Sequence, residues 1–319
     1  MVDYQVKGAI RMKLPNEKLL MAEAAMLYYE KKYTQQEIAE VMALSRQTVS
    51  KLLNDAVREN VVEITIHHPE KECKELEEKL CASFGIDRCV VCGVSSKNES
   101  LRQLVAVKSA VDYLLPLLQK NGQKIALSWG RTVRALIEQL PEITTKETVV
   151  FPLFGATDNE SPYFSSNELA RWMADKLGAE VKYAWFPYLT DTAADSRIIK
   201  GLSYYKTMEQ LWNTADVAIV GIGDADILEV CEKTVGRGQE HAPIVGDIAT
   251  HFFDKNGEFV YPYDNSLCAS AESIRKIGET VAIACGNKKA QAIACALRTN
   301  LLNTLITDEY TAKAVLEYA

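Results

Sequence analysis

Long apolar runs are absent from this sequence of 319 residues. No stretch reaches the roughly 18 consecutive apolar residues that would suggest a membrane-spanning helix. The start of the chain carries charges at Asp3, Lys7, Arg11 and Lys13, and it lacks the apolar core of a signal peptide. We therefore expect a protein that stays in the cytoplasm and has no membrane partner.

Complete metal-binding and redox motifs are also absent, although the chain has eight cysteines. Cys89 and Cys92 have C-x-x-C spacing, but no second pair of this kind and no suitably spaced histidines complete a zinc set. The run from Arg88 to Val94 is typical of a buried strand, in which both cysteines would pack as small apolar side chains. Free thiols, no metal and no cofactor are expected, with a metal or redox role as the less favoured alternative.

Basic residues are not in excess either, since the formal net charge is −7. A negative chain at first argues against a polyanion as partner, but the charge is unevenly distributed. Nine Lys and Arg against eight Asp and Glu give the first sixty residues a net charge of +1, so the remainder carries −8. The composition therefore permits a local basic face near the start of a chain that is long enough for about two domains.

Three helices are predicted within the first sixty residues. Asn16 to Tyr33 has apolar residues at helical spacing, and Thr34 with Glu37 forms the capping-box pattern T-x-x-E that begins a second helix. Ser45 is a natural N-cap for a third helix, whose apolar residues recur at spacings of three and four. Two short helices joined by a tight turn are typical of a helix-turn-helix, which places its second helix in the major groove of DNA.

The outward face of the third helix predicts contacts with DNA. Arg46 is suited to a bidentate contact with guanine and Gln47 to one with adenine. Thr48, Ser50 and Lys51 are better suited to phosphate oxygens, which set the register rather than the sequence. An ordinary solvated helix face is the alternative, because Arg, Gln and Lys are common there. The residues that we predict to bind double-stranded DNA are Thr34, Gln35, Ser45, Arg46, Gln47, Thr48, Ser50 and Lys51.

The boundary of this domain is predicted from a strand-like run and a proline. Val61 to Ile66 alternates β-branched residues and would form half of a wing beside the helices, ahead of Pro69. A charged helix from Glu70 to Phe84 follows, and its apolar stripe either lies on the next domain or forms a dimer contact that spaces two recognition helices. We predict a helix-turn-helix domain at 1–68, a linker helix at 69–85 and an effector-binding domain at 86–319.

Apolar strand-like runs alternate with helical stretches from Ile86 onward. This alternation indicates an α/β fold with a mostly parallel sheet covered on both faces. The predicted strands are Arg88–Val94, Lys124–Ser128, Thr148–Leu153, Val181–Trp185, Val217–Gly221, Val281–Ala284 and Thr304–Ile306. The predicted helices include Leu101–Gln119, Arg131–Glu138, Asn167–Leu177 and Ala290–Arg298. Because ligands of such sheets bind beyond the carboxyl ends of the strands, the loops at those ends are the candidate site.

Several of these loops carry residues suited to a phosphorylated, hydroxylated ligand. Ser128 to Thr132 would lie at a helix N-terminus, where backbone N–H groups favour an anion. Asp247 would accept hydrogen bonds from sugar hydroxyls, and Lys289 would neutralise a phosphate. Gly221 and Gly223 would let a ligand approach the backbone, although the dinucleotide fingerprint G-x-G-x-x-G is missing. The alternative is that each glycine is only a turn residue and that the lysine is merely solvated.

The order of these segments resembles the SorC family of sugar-responsive bacterial transcription regulators over nearly the whole chain, from about Leu19 to Leu316. The runs that carry the resemblance are Tyr33–Ala39, Ser45–Leu53, Ser128–Thr132, Asp216–Gly223, Gly246–Ile248, Phe252–Asp254 and Leu305–Asp308. The resemblance implies a C-terminal domain folded like ribose-5-phosphate isomerase and glucosamine-6-phosphate deaminase. It also implies a dimer or tetramer and a phosphorylated sugar as the effector.

Loop chemistry and resemblance together predict the effector-binding residues. They are Ser128, Gly130, Arg131, Thr132, Gly155, Asn167, Gly221, Gly223, Asp247 and Lys289. Two departures from the family pattern leave the identity of the effector open. The loop from Phe151 to Thr157 contains no lysine, so an imine with a sugar is not supported there, and Cys285 replaces a glycine that is common in the family.

The resulting hypothesis is a homo-oligomeric, DNA-binding transcription regulator of a carbohydrate-utilisation operon, whose operator affinity is controlled by a sugar or sugar-phosphate effector. The rival is an active sugar-phosphate isomerase or deaminase, for which Asp191, Asp195 and Asp247 are the plausible bases. No carboxylate–histidine pair has clear catalytic spacing, so we predict no catalytic residues and no enzyme. A nucleotide as the effector is a third alternative.

Overall fold

The computed structural model describes residues 15–64, 73–157, 165–224, 243–260 and 265–319 of the chain. Two compact units divide the chain, Met1–Pro69 and Glu70–Ala319. Within the described ranges, no helix is both long enough and apolar enough to cross a membrane.

The first unit is helical in its described part. Helix α1, Pro15–Ala25, continues into one π-helical turn, Met26–Glu30, and is followed by α2, Gln35–Val41, and α3, Arg46–Arg58. The helical turns therefore end three residues before Tyr33, the predicted end of the first helix. The apolar residues buried between the helices are Met21, Ala24, Ala25, Ile38, Ala39, Val49, Leu53 and Ala56.

Two predicted N-caps begin α2 and α3. Thr34 Oγ1 accepts from the N–H of Glu37 at 3.3 Å, and the N–H of Thr34 donates to Glu37 Oε2 at 2.8 Å, which confirms the capping box. Ser45 Oγ accepts from the N–H of Thr48 at 3.1 Å. Because each bond satisfies a backbone group that has no partner inside the helix, these side chains determine where α2 and α3 begin.

The predicted strand from Val61 to Ile66 is wrong for its described part, residues 61–64. The N–H groups of Val61 and Val62 both donate to the carbonyl of Ala56, at 2.8 and 3.0 Å, and turn the chain back onto the end of α3. Both valines pack against the helical core, which accounts for the apolar pattern without a strand. Ile66 and Pro69 lie outside the described residues.

The second unit contains ten strands in the described ranges. They are β1 Arg88–Cys92, β2 Lys124–Leu127, β3 Val149–Pro152, β4 Glu180–Val181, β5 Val217–Gly221, β6 Gly223–Asp224, β7 Gly246–Ile248, β8 His251–Phe253, β9 Glu279–Ile283 and β10 Thr304–Asp308. Seven of them form one parallel sheet in the order β1-β10-β9-β5-β2-β3-β4, which confirms the predicted architecture. The other three form a small antiparallel sheet in the order β6-β7-β8.

One predicted strand, Val181–Trp185, is largely replaced by irregular backbone. The strand that pairs with β3 ends at Val181, and the chain next meets the sheet edge only through a bridge between Pro187 and Ala156. Within the predicted strand, the N–H and the carbonyl of Ala184 both bond to the side chain of Asn167, so these backbone groups do not pair with a neighbouring strand.

Helices cover both faces of the parallel sheet. They are α4 Lys74–Phe84, α5 Glu99–Leu118, α6 Arg131–Gln139, α7 Ser166–Leu177, α8 Ala193–Gly201, α9 Ser203–Asn213, α10 Ala271–Arg275, α11 Ala290–Arg298 and α12 Glu309–Leu316, with a 3₁₀ turn at Asn287–Lys289. One apolar cluster contains Phe151, Trp212 and Phe253, and a second contains Leu114 and Met173. Burial on both faces explains why the strands are continuously apolar in the sequence.

Helix α4 belongs to the second unit. Leu80 is fully buried, Cys73 is buried at the N-cap of the helix, and Leu76 and Phe84 pack against the same core cluster as the sheet. The apolar stripe of this helix thus packs against its own unit. This is the first of the two alternatives for Glu70 to Phe84, a helix that lies on the next domain.

Candidate functional site

The first two turns of α3 present polar side chains at the surface of the first unit. Arg46, Gln47, Thr48 and Lys51 are exposed and Ser50 is half-buried, while the apolar residues between them point into the helical core. None of these five side chains is packed inside the protein. The surface can therefore offer a guanidinium, an amide, an ammonium and hydroxyls to a partner.

Three predicted DNA contacts, Thr34, Ser45 and Thr48, have hydroxyls that bond within the protein. Thr34 Oγ1 lies in the capping box, which also holds the pKa of the Glu37 carboxyl below its usual value through the Thr34 N–H and hydroxyl. Ser45 Oγ lies 2.8 Å from Thr48 Oγ1 as well as accepting from the Thr48 N–H. These hydroxyls hold the helix starts in place, and Gln35 follows as the half-buried first residue of α2.

In the second unit, the predicted effector residues follow the carboxyl ends of adjacent strands. The register aligns Gly221 with Ile283 between β5 and β9, and Leu127 with Pro152 between β2 and β3. The loops after these four strands consequently leave the sheet at one edge, where ligands of parallel sheets bind.

The segment Gly221–Asp224 joins several of these loops. The N–H of Gly221 donates to Ser128 Oγ at 3.3 Å, and Lys289 Nζ donates to the carbonyl of Ile222 at 2.8 Å. Gly223 pairs with Asp247 across the small sheet. The structure thus brings together five of the ten predicted effector residues around one short segment: Ser128, Gly221, Gly223, Asp247 and Lys289.

The hydroxyl of Ser128 is engaged in this arrangement. Its side chain is only 2% exposed, and its Oγ donates to the carbonyl of Trp129 at 3.3 Å while it accepts from the N–H of Gly221. Ser128 therefore ties the end of β2 to the end of β5. The exposed or half-buried groups of this loop are Gly130, Arg131 and Thr132, at the N-terminus of α6.

The predicted glycines differ in what surrounds them. A Cβ on Gly155 would lie 2.5 Å from the carbonyl oxygen of Pro187, so the close approach of two backbone segments requires this glycine. A Cβ on Gly221 or Gly130 would meet nothing within 4 Å, although the φ of 119° at Gly130 disfavours other residues. Open space beside Gly130 and Gly221 leaves room for a ligand, whereas Gly155 has a packing role.

Asn167 also has a role within the protein. Its side-chain amide accepts from the N–H of Ala184 at 2.9 Å and donates to the Ala184 carbonyl at 3.1 Å. This reciprocal pair fastens the start of α7 to the segment that follows β4. The structure does not connect Asn167 to the residues gathered around Gly221–Asp224.

Asp247 is the most perturbed carboxyl group of this region. It is 4% exposed, and burial raises its pKa from 3.8 to about 6. The N–H of Thr250, which donates to Asp247 Oδ2 at 3.2 Å, and the ammonium of Lys289 act to lower that pKa, whereas Asp224 acts to raise it. Near neutral pH the site therefore holds a buried carboxylate whose negative charge is stabilised by one lysine, Lys289.

We expect the ionised Asp247 to destabilise the protein without added ligand as the pH rises. Its pKa is higher in the native state than in the unfolded chain, so the native state binds more protons between about pH 4 and pH 6 and loses stability through that window. The shift corresponds to at most about 3 kcal/mol. An asparagine at this position does not titrate, so the unfolding free energy of Asp247→Asn minus that of the parent should be larger at about pH 7 than at about pH 4. Urea titrations at both pH values measure this gain, and an equal difference at both would contradict it.

The structure contains a buried ion pair, next to the 3₁₀ turn Asn287–Lys289, that the sequence did not predict. Arg102 Nη1 donates to Asp308 Oδ1 at 3.1 Å and to Asn287 Oδ1 at 2.8 Å. Asp308 is fully buried and also caps α12. The helical spacing of α5 contains the signal for Arg102, since Val105 and Ala106 at i+3 and i+4 place the arginine on the buried face. Its partners are distant in sequence and show no such signal.

The carboxylates of the rival enzymatic hypothesis are not paired with a histidine in the described residues. Asp191 and Asp195 are exposed, and Asp195 Oδ2 accepts from Thr192 Oγ1 at 2.7 Å at the start of α8. The ring nitrogen of His251 bonds to the carbonyl of Ala269 at 2.9 Å, and burial lowers the pKa of this histidine. No group of three or more His, Cys, Asp or Glu side chains in the described ranges could hold a metal ion.

The two cysteines of the C-x-x-C pattern are buried strand residues. Cys89 and Cys92 lie on β1 as free thiols, and burial raises the pKa of both, that of Cys92 to about 12. Protonated, buried thiols are poor nucleophiles and poor metal ligands. They pack as the small apolar side chains that the sequence favours.

Comparison with protein families matches both units. The family model described as "Putative sugar-binding domain" matches residues 68–317, and the model described as "Sigma-70, region 4" matches residues 24–59. The chain is similar to the sorbitol operon regulator of Klebsiella pneumoniae, at 31% identity over 309 residues, 93% of this chain and 98% of the relative. It is also similar to the erythritol catabolism regulatory protein EryD of Brucella abortus, at 26% identity over 93% of this chain and 96% of the relative.

Solved structures of transcription regulators also superpose on this chain. The full-length sorbitol operon regulator SorC from Klebsiella pneumoniae superposes with a TM-score of 0.67 at 29% identity, over 94% of this chain and 99% of that structure. A transcriptional regulator from Streptococcus pneumoniae superposes with a TM-score of 0.68 at 24% identity, over 76% and 96%. The second likeness is one of fold alone.

Proposed function

The chain belongs to the SorC family of bacterial transcription regulators, and from this premise we propose that it controls a carbohydrate-utilisation operon in response to a sugar or sugar-phosphate effector. The relatives are named for sorbitol, erythritol and deoxyribonucleoside metabolism, which supports a carbohydrate or a derivative as the signal. On this proposal the chain is a regulator and not an enzyme, and it acts in the cytoplasm. It binds its operator as a dimer or tetramer, because a two-fold assembly matches the symmetry of paired half-sites.

The exposed first turn of α3 is the observation that carries the proposal. Side chains at the start of a recognition helix read base edges in the major groove, and Arg46 and Gln47 stand there at the surface. Arg46 would pair with guanine and Gln47 with adenine, while Ser50 and Lys51, one turn further on, would contact phosphates. The caps at Thr34 and Ser45 support this role because they hold the two helices of the motif at their starting points.

Replacing Arg46 with alanine is expected to weaken operator binding by about 1–3 kcal/mol and to relax the preference for one base pair. The probe is a duplex selected from a randomised pool by the full-length protein, and its Kd is measured by fluorescence anisotropy at fixed salt. Arg58→Ala is the matched control, because it removes an arginine at the far end of α3 that is already paired with Asp55 at 2.6 Å. An Arg46→Ala protein with unchanged affinity would remove the proposed role.

The proposal that the second unit binds an effector is based on the residues around Gly221–Asp224. Lys289 supplies a positive charge and Asp247 a buried acceptor for hydroxyl groups. The N-terminus of α6, after Gly130, adds backbone N–H groups that favour an anion. A phosphorylated polyhydroxy compound matches this set of groups. Its binding changes operator affinity only through unequal affinity for two arrangements of the assembly.

A further inference from the structure

A groove beside the recognition helix is lined by three of the predicted DNA contacts and by five residues outside that set. It has a volume of about 680 Å³ and lies entirely within the first unit. We call it the tyrosine groove, and its lining residues are Tyr28, Tyr29, Lys32, Tyr33, Thr34, Gln35, Gln36 and Arg46. Arg46 at one side is the first residue of α3, so the groove adjoins the surface that is proposed to enter the major groove.

Lys32 has an uncommon backbone conformation at this groove. Its φ is 61°, in the left-handed region that non-glycine residues rarely adopt. It lies just after the end of the π-helical turn, where the N–H of Tyr33 returns to the carbonyl of Leu27 at 3.0 Å, and glycine is the usual residue at such a helix end. A strained residue where glycine would fit without strain suggests that the side chain has a function of its own.

The charges of the groove indicate what that function is. Lys32 and Arg46 are its charged lining residues, and both are cations with exposed side chains. The structure gives neither of them an ion-pair partner among the residues it describes. Two exposed cations in a groove next to a recognition helix complement the phosphodiester backbone that flanks the bases in the major groove.

We propose that Lys32 contacts a DNA phosphate next to the bases that Arg46 reads, and that this contact accounts for a lysine at a left-handed position. The inference rests on the proposed DNA-binding function and adds a residue to it. A phosphate contact acts on every sequence alike, so Lys32 contributes to affinity and register, whereas Arg46 contributes to base preference.

The test is Lys32→Gly in the full-length protein, with two readouts that are expected to move differently. Glycine adopts a φ of 61° freely, so the melting temperature should equal or exceed that of the parent. Loss of one phosphate contact should make the negative slope of log K against log salt shallower by about 0.9 for each protomer on the duplex. At about 0.1 M salt this corresponds to a loss of affinity of roughly 8-fold for each contact. The probes are a fluorescein-labelled, mixed-sequence duplex of about 30 base pairs and the selected duplex, which should lose affinity equally.

Two further variants complete the design. Lys32→Arg keeps the charge and should restore the salt slope, and Lys31→Ala removes a neighbouring lysine that does not line the groove and should change affinity far less. Parent-like affinity and slope in Lys32→Gly would overturn the inference, and so would a lower melting temperature with parent-like binding. If Arg46→Ala still weakens the selected duplex in that case, the proposed function stands and only the Lys32 contact falls.

One outcome would assign the groove to a small anion instead. Inorganic phosphate would then raise the melting temperature of the parent but not of Lys32→Gly, while both proteins bound the two duplexes equally. That result overturns the DNA contact, because the ammonium would serve a free phosphate and contribute nothing on the duplex.

Discussion

Replacing Arg102 with methionine is expected to destabilise the second unit by about 3–5 kcal/mol, the usual cost of leaving a buried charge without its partner. Arg102 is 5% exposed and Asp308 is fully buried, and the guanidinium also bonds to Asn287 and lies 5.2 Å from the ring centre of Tyr310. Methionine fills similar space but leaves the Asp308 carboxylate with only the backbone and hydroxyl donors at the start of α12. Urea unfolding of the second-unit transition measures the loss.

A double-mutant cycle separates the ion pair from the loss of packing. Asp308→Asn in the Arg102→Met background removes the uncompensated charge and should recover part of the lost stability. Arg171→Met is the control at the surface, where the arginine is 46% exposed and bonds to Glu168 and Asp175, and it should cost about 1 kcal/mol or less. If Arg102→Met cost no more than Arg171→Met, the buried pair would not be a stabilising feature.

Lys289→Met is expected to weaken binding of a phosphorylated effector by about 2–5 kcal/mol, which is at least about 30-fold in Kd. The ammonium is held at the site by the Ile222 carbonyl, and methionine keeps the length of the side chain without the charge. The ligand comes from a thermal-shift screen of hexose and polyol phosphates, their unphosphorylated parents and nucleotides. Calorimetry on the full-length protein then gives the Kd for parent and variant.

The neighbouring lysine provides the matched control for this experiment. Lys288 is exposed in the same 3₁₀ turn, so Lys288→Met changes the net charge equally and should leave the effector Kd within about twofold. The loss in Lys289→Met should be confined to phosphorylated compounds, and binding of the selected duplex without effector should be unchanged. Equal losses for an effector and its unphosphorylated parent would show that Lys289 does not contact a phosphate.

Local signals predict the DNA-binding part of the chain well. The cap at Ser45 and the capping box of Thr34 with Glu37 depend on residues three positions apart, so the sequence alone shows where α2 and α3 begin. The strand predicted at Val61–Ile66 fails because β-branched residues suit a strand and equally suit the turn that Val61 and Val62 make onto the helical core. The two valines contact the end of α3 and not a neighbouring strand, and no local pattern of residues reveals that contact.

In the second unit, the sequence by itself determined the class of architecture, since apolar runs alternating with helical periods leave few folds other than a covered parallel sheet. Only the tertiary structure decided which residues meet. It joined Arg102 to Asp308 across 206 positions, and it turned the Ser128 hydroxyl inward to the Gly221 N–H, 93 positions away. The physical reason is range: helix caps and periodicity act over a few residues, whereas burial, ion pairing and pKa shifts depend on segments that only the folded sheet brings together.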